Sequence, residues 1–244
     1  MKSFRDRAVV LGSYKFGEAD RVVVLLTETH GKVRAVARGV RKTKSSIGAR
    51  LEPLNHVDVS FRRGRELDTV AEVTLAEPFT RLRGDFERMA QGIAMLEAVN
   101  KMTPDREPVP HIYEILVRAL RSLDARVAPL TLAGFFWRIL QVEGHEPRLD
   151  ECVGCGEPVG DGNDGGLHFD ATHGGVHCAA CRTGIPISGA ALAILRRMLG
   201  GHMNEALALG ESPPVHEVNR LAMDAMEAHL ERRLQSLGVF DRHL

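Results

Sequence analysis

Apolar and polar positions alternate over short runs in the first 80 residues. Ala8–Leu11 is apolar, Arg21–Thr27 is β-branched and aliphatic, and Lys32–Arg38 alternates basic with apolar side chains. Val57, Val59 and Phe61 share one side of a fourth run, and Val70 and Val73 mark a fifth within Leu67–Leu75. Gly17, Gly31, Gly39, Gly48 and Gly64 fall in the breaks. Five short, evenly spaced strands without a long helical pattern predict a small barrel rather than a βαβ unit.

From Phe79 the period lengthens. Phe86, Met89, Ala90, Ile93 and Leu96 fit one face of a helix, and Pro104, Pro108 and Pro110 interrupt it. Ile112 to Leu123 gives a second helix and Pro129–Gly144 holds a third. Ser188 predicts an N-cap for Ala190–Leu199, closed by Gly200-Gly201. Ser212-Pro213-Pro214 opens a last helix, where proline fits because an N–H there would be unpaired anyway. The longest aliphatic run is Val22–Leu26, far short of the ~20 residues that span a bilayer. The N-terminus has no secretory pattern, so a cytoplasmic protein is expected.

The balance of 32 Lys+Arg against 32 Asp+Glu hides an asymmetry. Residues 1–80 carry 15 basic and 10 acidic side chains; the remainder carry 17 and 22. Between His30 and Arg50 there are seven basic residues and no acidic one. Lys32, Arg34 and Arg38 share parity on one strand and so are expected to project from one face, with Val33, Ala35 and Ala37 on the other. Arg41, Lys42 and Lys44 continue the charge into a Gly/Ser-containing loop, and Arg62, Arg63 and Arg65 crowd another turn. A barrel with a cationic face and loops is the means by which OB-folds follow a nucleic-acid backbone. Tyr14, Phe16 and Phe61 are the few aromatic candidates for base stacking, and Phe61 fits the core equally well. Binding should therefore be mostly electrostatic and weakly sequence-selective.

All four cysteines lie in two C-x2-C pairs, Cys152/Cys155 and Cys178/Cys181. Gly154 and Gly156 in one knuckle and Ala179 and Ala180 in the other leave room for backbone N–H groups near sulfur. Four thiolates on two knuckles predict one closed, structural Zn2+ site with no open position for catalysis. Disulfides fit poorly with a cytoplasmic chain. His168, His173 and His177 are nearby and are expected to be loop residues, and His229 a packing residue.

Other motifs fail on context. Gly160–Gly165 satisfies G-x-G-x-x-G but follows no strand and opens no helix. Gly12–Gly17 has P-loop glycine spacing, yet Glu18 and Ala19 stand where Lys and Ser/Thr are needed. His229-Leu230-Glu231 comes after both knuckles, the wrong order for a zinc deaminase. No catalytic acidic cluster is evident, so the chain does not read as an enzyme.

The string Gly17-Glu18-Ala19-Asp20-Arg21, then Leu26-Thr27, Gly31-Lys32, Ala37–Arg41, Lys44-Ser45 and Leu51-Glu52-Pro53, resembles the N-terminal domain of the RecO recombination mediator family. Phe136–Leu140, Gly144, Pro147, Leu149 and Cys152–Gly156 are similar to that family's entry into its zinc module. The resemblance implies an α+β multidomain chain: an OB-fold DNA-binding barrel over 1–80, then an all-α helical domain over 81–149 and 186–244, with an inserted four-cysteine zinc module over 150–185. It implies non-specific binding of single- and double-stranded DNA, strand annealing, and help in loading the RecA recombinase onto DNA coated by single-strand-binding protein (SSB). It implies RecR and the acidic C-terminal tail of SSB as partners, a nucleoid-associated cytoplasmic location and no nucleotide hydrolysis. Carried to this chain, the DNA contacts would be Lys32, Arg34, Arg38, Arg41, Lys42 and Lys44, with Arg62 and Arg63 added from the charge pattern. The metal ligands would be Cys152, Cys155, Cys178 and Cys181. The alternatives are a zinc-dependent nucleic-acid enzyme, which would need an open metal site, and a zinc-ribbon transcription factor, which would need a basic reading helix.

Overall fold

The structure, a computed structural model, describes residues 3–40, 46–126, 128–160 and 166–239. The chain forms two compact units, Met1–Ala125 and Arg126–Leu244.

In the first unit, β1 (Ser3–Phe16), β2 (Asp20–Thr27), β3 (Gly31–Ala37), β4 (His56–Arg62) and β5 (Asp68–Glu77) close a barrel in the order β1-β2-β3-β5-β4. Five strands in that closure give the OB-like barrel expected from the alternation. Val10, Val23, Leu25, Ala35, Val59 and Phe61 fill its interior. β1 is long enough to pair with both β2 and β4, and a register shift between Val10 and Gly12 bends it between the two. The seam is short: β3 and β5 run parallel and meet only at Ala35/Asp68 and Val36/Thr69.

Helices α1 (Ser46–Arg50), α2 (Thr80–Gly84), α3 (Phe86–Met102) and α4 (Pro110–Ala125) complete this unit. Asp85 caps α3 by accepting from the Arg88 N–H. α3 packs on β1 and on α4. A chain of polar contacts, buried at His56 and Tyr113 and open at Arg121, ties α4 to the barrel. His56 Nδ1 lies 2.9 Å from Glu77 Oε1, and its Nε2 lies 2.8 Å from the Tyr113 hydroxyl. Arg121 grips the same Glu77 carboxylate with Nε at 2.8 Å. Burial pushes the His56 pKa down despite the carboxylate. The neutral ring therefore donates from Nδ1 to Glu77 and accepts from Tyr113 at Nε2.

Between α3 and α4 the chain crosses the barrel as a strap. Arg106 N–H donates to Lys32 O at 2.8 Å, and Lys32 and Asp105 form an isolated parallel bridge. The strap passes so close over the β2–β3 turn that a Cβ on Gly31 would lie 1.9 Å from Glu107 O.

The second unit is built on α5 (Thr131–Val142), α6 (Gly189–Leu199), α7 (Met203–Ala206) and α8 (Pro213–Leu230), with a 3-10 turn at Gln235–Val239. Leu132, Phe135, Phe136, Trp137, Ile139 and Leu140 are all buried, so α5 is the helix its all-round apolarity demands. α8 packs against both α5 and α6. Ser188 caps α6 by accepting from Ala191 N–H, and prolines open α8, both as the sequence predicts. The cysteine segment contains elements that its pattern does not announce: a small sheet of β6 (His168–Asp170), β7 (Gly175–His177) and β8 (Ile185–Pro186) in the order β7-β6-β8. Strands of two or three residues leave no alternation to detect. Among the described residues no helix is long and apolar enough to cross a membrane.

Candidate nucleic-acid interface and metal centre

The cationic strand folds differently from its simple reading. Lys32 and Arg34 do share a face, but in the β2–β3 register Lys32 stands opposite Leu26, and Arg34 opposite Val24. Residues directly opposite point the same way. Leu26 and Val24 are buried outside the barrel's interior cluster, so this outer face is covered rather than open. Lys32 is only 5% exposed; its ammonium donates to Asn100 O at 2.7 Å and pairs with Asp105 at 3.4 Å. Burial pulls its pKa down, and Asp105 opposes the shift. Arg34, half-buried, gives its Nε to the same carboxylate at 2.8 Å. The expected exposed row of three thus reduces to Arg38, because the α3–α4 strap lies over the other two. A signal existed in the sequence: Val22–Leu26 is apolar on both faces, which marks a strand buried on both sides and so a covered neighbour.

Arg38 is exposed just past β3. Arg62 and Arg63, exposed at the β4–β5 turn, lie far from it in sequence but line the same pocket. This pocket, about 460 Å³, opens where β3 and β5 diverge beyond their short seam. Ala37, Ile47, Leu67 and Val70 give it an apolar part beside the arginines, Gly64 and Thr69. Among the described residues no carboxylate forms an ion pair with Arg38, Arg62 or Arg63. The Arg63 guanidinium carbon sits 5.0 Å over the Phe4 ring, and Phe4 stacks on Phe61 at 4.8 Å. Phe61 is fully buried and serves the core. Tyr14 and Phe16 remain 48% and 46% exposed on β1. Arg41, Lys42 and Lys44 lie outside the described residues.

The four cysteines of the second unit meet. The sulfurs of Cys152, Cys155, Cys178 and Cys181 all lie within 4.8 Å of one another, and Cys155 and Cys178 are 3.7 Å apart. A tetrahedral ion with bonds of about 2.3 Å to sulfur requires sulfurs about 3.8 Å apart, so the four residues could hold one metal ion. Gly154 is needed here, since a Cβ would come within 3.0 Å of Cys181 Sγ. Cys178 N–H donates to Cys152 Sγ at 3.3 Å. Burial pushes the Cys152 thiol up, but this bond and those from the Cys155 and Gly154 N–H groups bring it down to about 6. Crowding by the other three thiols drives Cys181 up to about 12. Four sulfurs this close cannot all carry charge without a cation among them.

The module is tied into its unit. Arg196 of α6 donates to Leu149 O and Val159 O at 2.8 and 2.7 Å, and pairs with Asp150 at 2.9 Å. Phe169 of β6 packs edge-on to Trp137 of α5 at 5.8 Å. His168 and His173 make local contacts, to Gly166 O and to Asp170, rather than joining the sulfurs. His177, 5% exposed, packs beside the first knuckle. His229 lies against His145 with ring centres 4.3 Å apart.

The family model "Recombination protein O N terminal" matches residues 1–79, and "Recombination protein O C terminal" matches residues 83–238. The chain belongs to the recombination protein O family. A DNA repair protein RecO of Cutibacterium acnes (strain DSM 16379 / KPA171202) is 38% identical over 254 residues, covering 99% of this chain and all of the relative. This RecO-family chain therefore has a role in recombinational DNA repair, and its family is one of recombination proteins, not of enzymes. Residues 80–82, in the first turn of α2, separate the two matched spans.

Proposed function

We propose that this protein is a recombination mediator that binds single- and double-stranded DNA without base specificity. On this reading it anneals complementary strands and, with RecR, helps load RecA onto SSB-coated DNA. The observation that carries the reading is the convergence of Arg38 with Arg62 and Arg63 on one pocket, with no carboxylate ion-paired to them among the described residues. Guanidinium groups with no carboxylate partner have their donors available for phosphate. Arg34, which pairs with Asp105 at 2.8 Å but keeps part of its side chain exposed, and Arg41, Lys42 and Lys44 extend the proposed contact set. Lys32 drops out of it, because using its ammonium would break a buried pairing. The ion held by the four cysteines is Zn2+, in a structural role.

The second unit offers a different surface. A groove of about 600 Å³ runs beside α6, lined by Ala190, Ala193, Ile194, Leu209 and Pro214, with Arg197 and Glu211 at its edge. Its apolar side chains suit a segment of a partner protein. The test mixes complementary oligonucleotides with the whole chain, without nucleotide cofactor. Accelerated annealing without cleavage or sequence preference is expected, and Lys32→Met should anneal like the unaltered protein while Arg38→Ala does not. Cleavage, or annealing that depends on Lys32 but not on Arg38, would reject the assignment.

A further inference from the structure

We infer that the pocket between Arg38, Arg62 and Arg63 receives one unstacked nucleobase of a single strand, so the protein grips single-stranded DNA by a base as well as by its backbone. The inference rests on the DNA-binding reading above and assigns it a ligand. Three features separate this pocket from a simple phosphate clamp. Its size, about 460 Å³, falls within the ~300–1,000 Å³ range of small-ligand sites. Beside the arginines and Thr69, part of its lining is apolar: Ala37, Ile47, Leu67 and Val70. A phosphate has no use for such apolar contacts, whereas a base does. The third feature is Arg63. Phe4 holds its guanidinium over an aromatic ring at 5.0 Å, and Phe4 is itself fixed against the buried Phe61. A guanidinium so supported is a flat cationic plate at the pocket wall, and bases of single strands stack on arginine planes as they do on aromatic rings.

Arg38 and Arg62 are then placed to meet the phosphates flanking that nucleotide. Stacking and apolar contact carry no hydrogen-bond code, so any base is accepted. A paired base in a duplex would first have to leave its stack, at a cost of a few kcal/mol, and is excluded by comparison.

The experiment compares binding of the whole protein to three probes at one salt concentration: a thymidine oligonucleotide, an abasic strand of equal length, and a blunt duplex. The unaltered protein should bind the thymidine strand about tenfold more tightly than the abasic strand. Arg63→Lys keeps the charge and loses the plate, so its thymidine-to-abasic ratio should fall close to one. Ala71→Phe, which fills the pocket from β5 and leaves every arginine in place, should collapse the same ratio. Circular dichroism on both variants checks that the barrel is folded. Equal affinity of the unaltered protein for thymidine and abasic strands, or a ratio that survives both substitutions, overturns the inference while leaving backbone binding intact. A protein that binds none of the three probes overturns the DNA-binding reading itself, and this inference with it.

Discussion

Gly31 shows how one residue can set the packing of a whole segment. Its φ of +70° is costly for any side chain, and Glu107 O occupies the space a Cβ would need. Gly31→Ala should therefore destabilise the protein by about 2–4 kcal/mol, combining left-handed backbone strain with overpacking. A lower urea midpoint at unchanged slope would register it; an unchanged midpoint would mean that the strap yields freely. The sequence marks Gly31 as a break but cannot say that a segment some 75 residues away lies on top of it. His56 behaves similarly: its polar partners, Glu77 and Tyr113, come from two other elements. Its folded pKa is depressed, so its neutral form contributes stability that is present above the ordinary value of ~6.5 and is lost as pH falls through the lower folded value. Unfolding followed from pH 7.5 to 5 should show a decline in stability that is clearly smaller in His56→Phe. Parallel declines in the two proteins would remove His56 from that account.

Elements with many residues on one period were legible, and short ones were not. All five barrel strands could be read, β1 and β2 from unbroken apolar runs, β3 and β4 from alternation and β5 from its spaced valines, and α5 because almost every position is apolar. The strands β6, β7 and β8, and helices α1, α2 and α7, are too short to leave a pattern; tertiary contacts make them. The cysteines were legible for another reason: spacing alone brings two thiols of a knuckle together, and the structure adds the approach of the two knuckles. What spacing could not reveal is that α5 and α6 brace the module, Trp137 against Phe169 and Arg196 against the carbonyls of Leu149 and Val159. Binding of metal by thiolates supplies folding free energy, on the order of 10 kcal/mol in small peptides. Cys155→Ser should release the ion and loosen residues 150–185. The barrel core, built from other residues, should keep its own hydrogen-exchange protection. Metal analysis should give one zinc per unaltered chain and far less in the variant; a variant that keeps a full equivalent would show that three thiolates suffice.

Over the whole molecule the charge is polarised along the chain, with the basic excess in the first 80 residues and the acidic excess in the rest. A neutral protein can thus present a cationic surface to a polyanion without attracting it everywhere. The long-range part of binding should then come from the barrel alone. Each phosphate neutralised releases condensed counterion, so log K should fall with log salt by about 0.7 per contact on single strands. About four contacts, made by Arg38, Arg62 and Arg63 with their neighbours in the proposed set, give a slope of roughly −3 by the same rule. Removing Arg38 and Arg62 together takes away two contacts, so the slope should become shallower by about 1.4 and affinity should drop alike for every sequence. Lys32→Met should leave the slope where it was, since that ammonium already has Asn100 and Asp105 as partners. Annealing requires two strands to approach with their charges screened, so the arginine double variant should lose it in step with binding. A slope unchanged by losing both arginines, or one made shallower by losing Lys32, would place the DNA on another face.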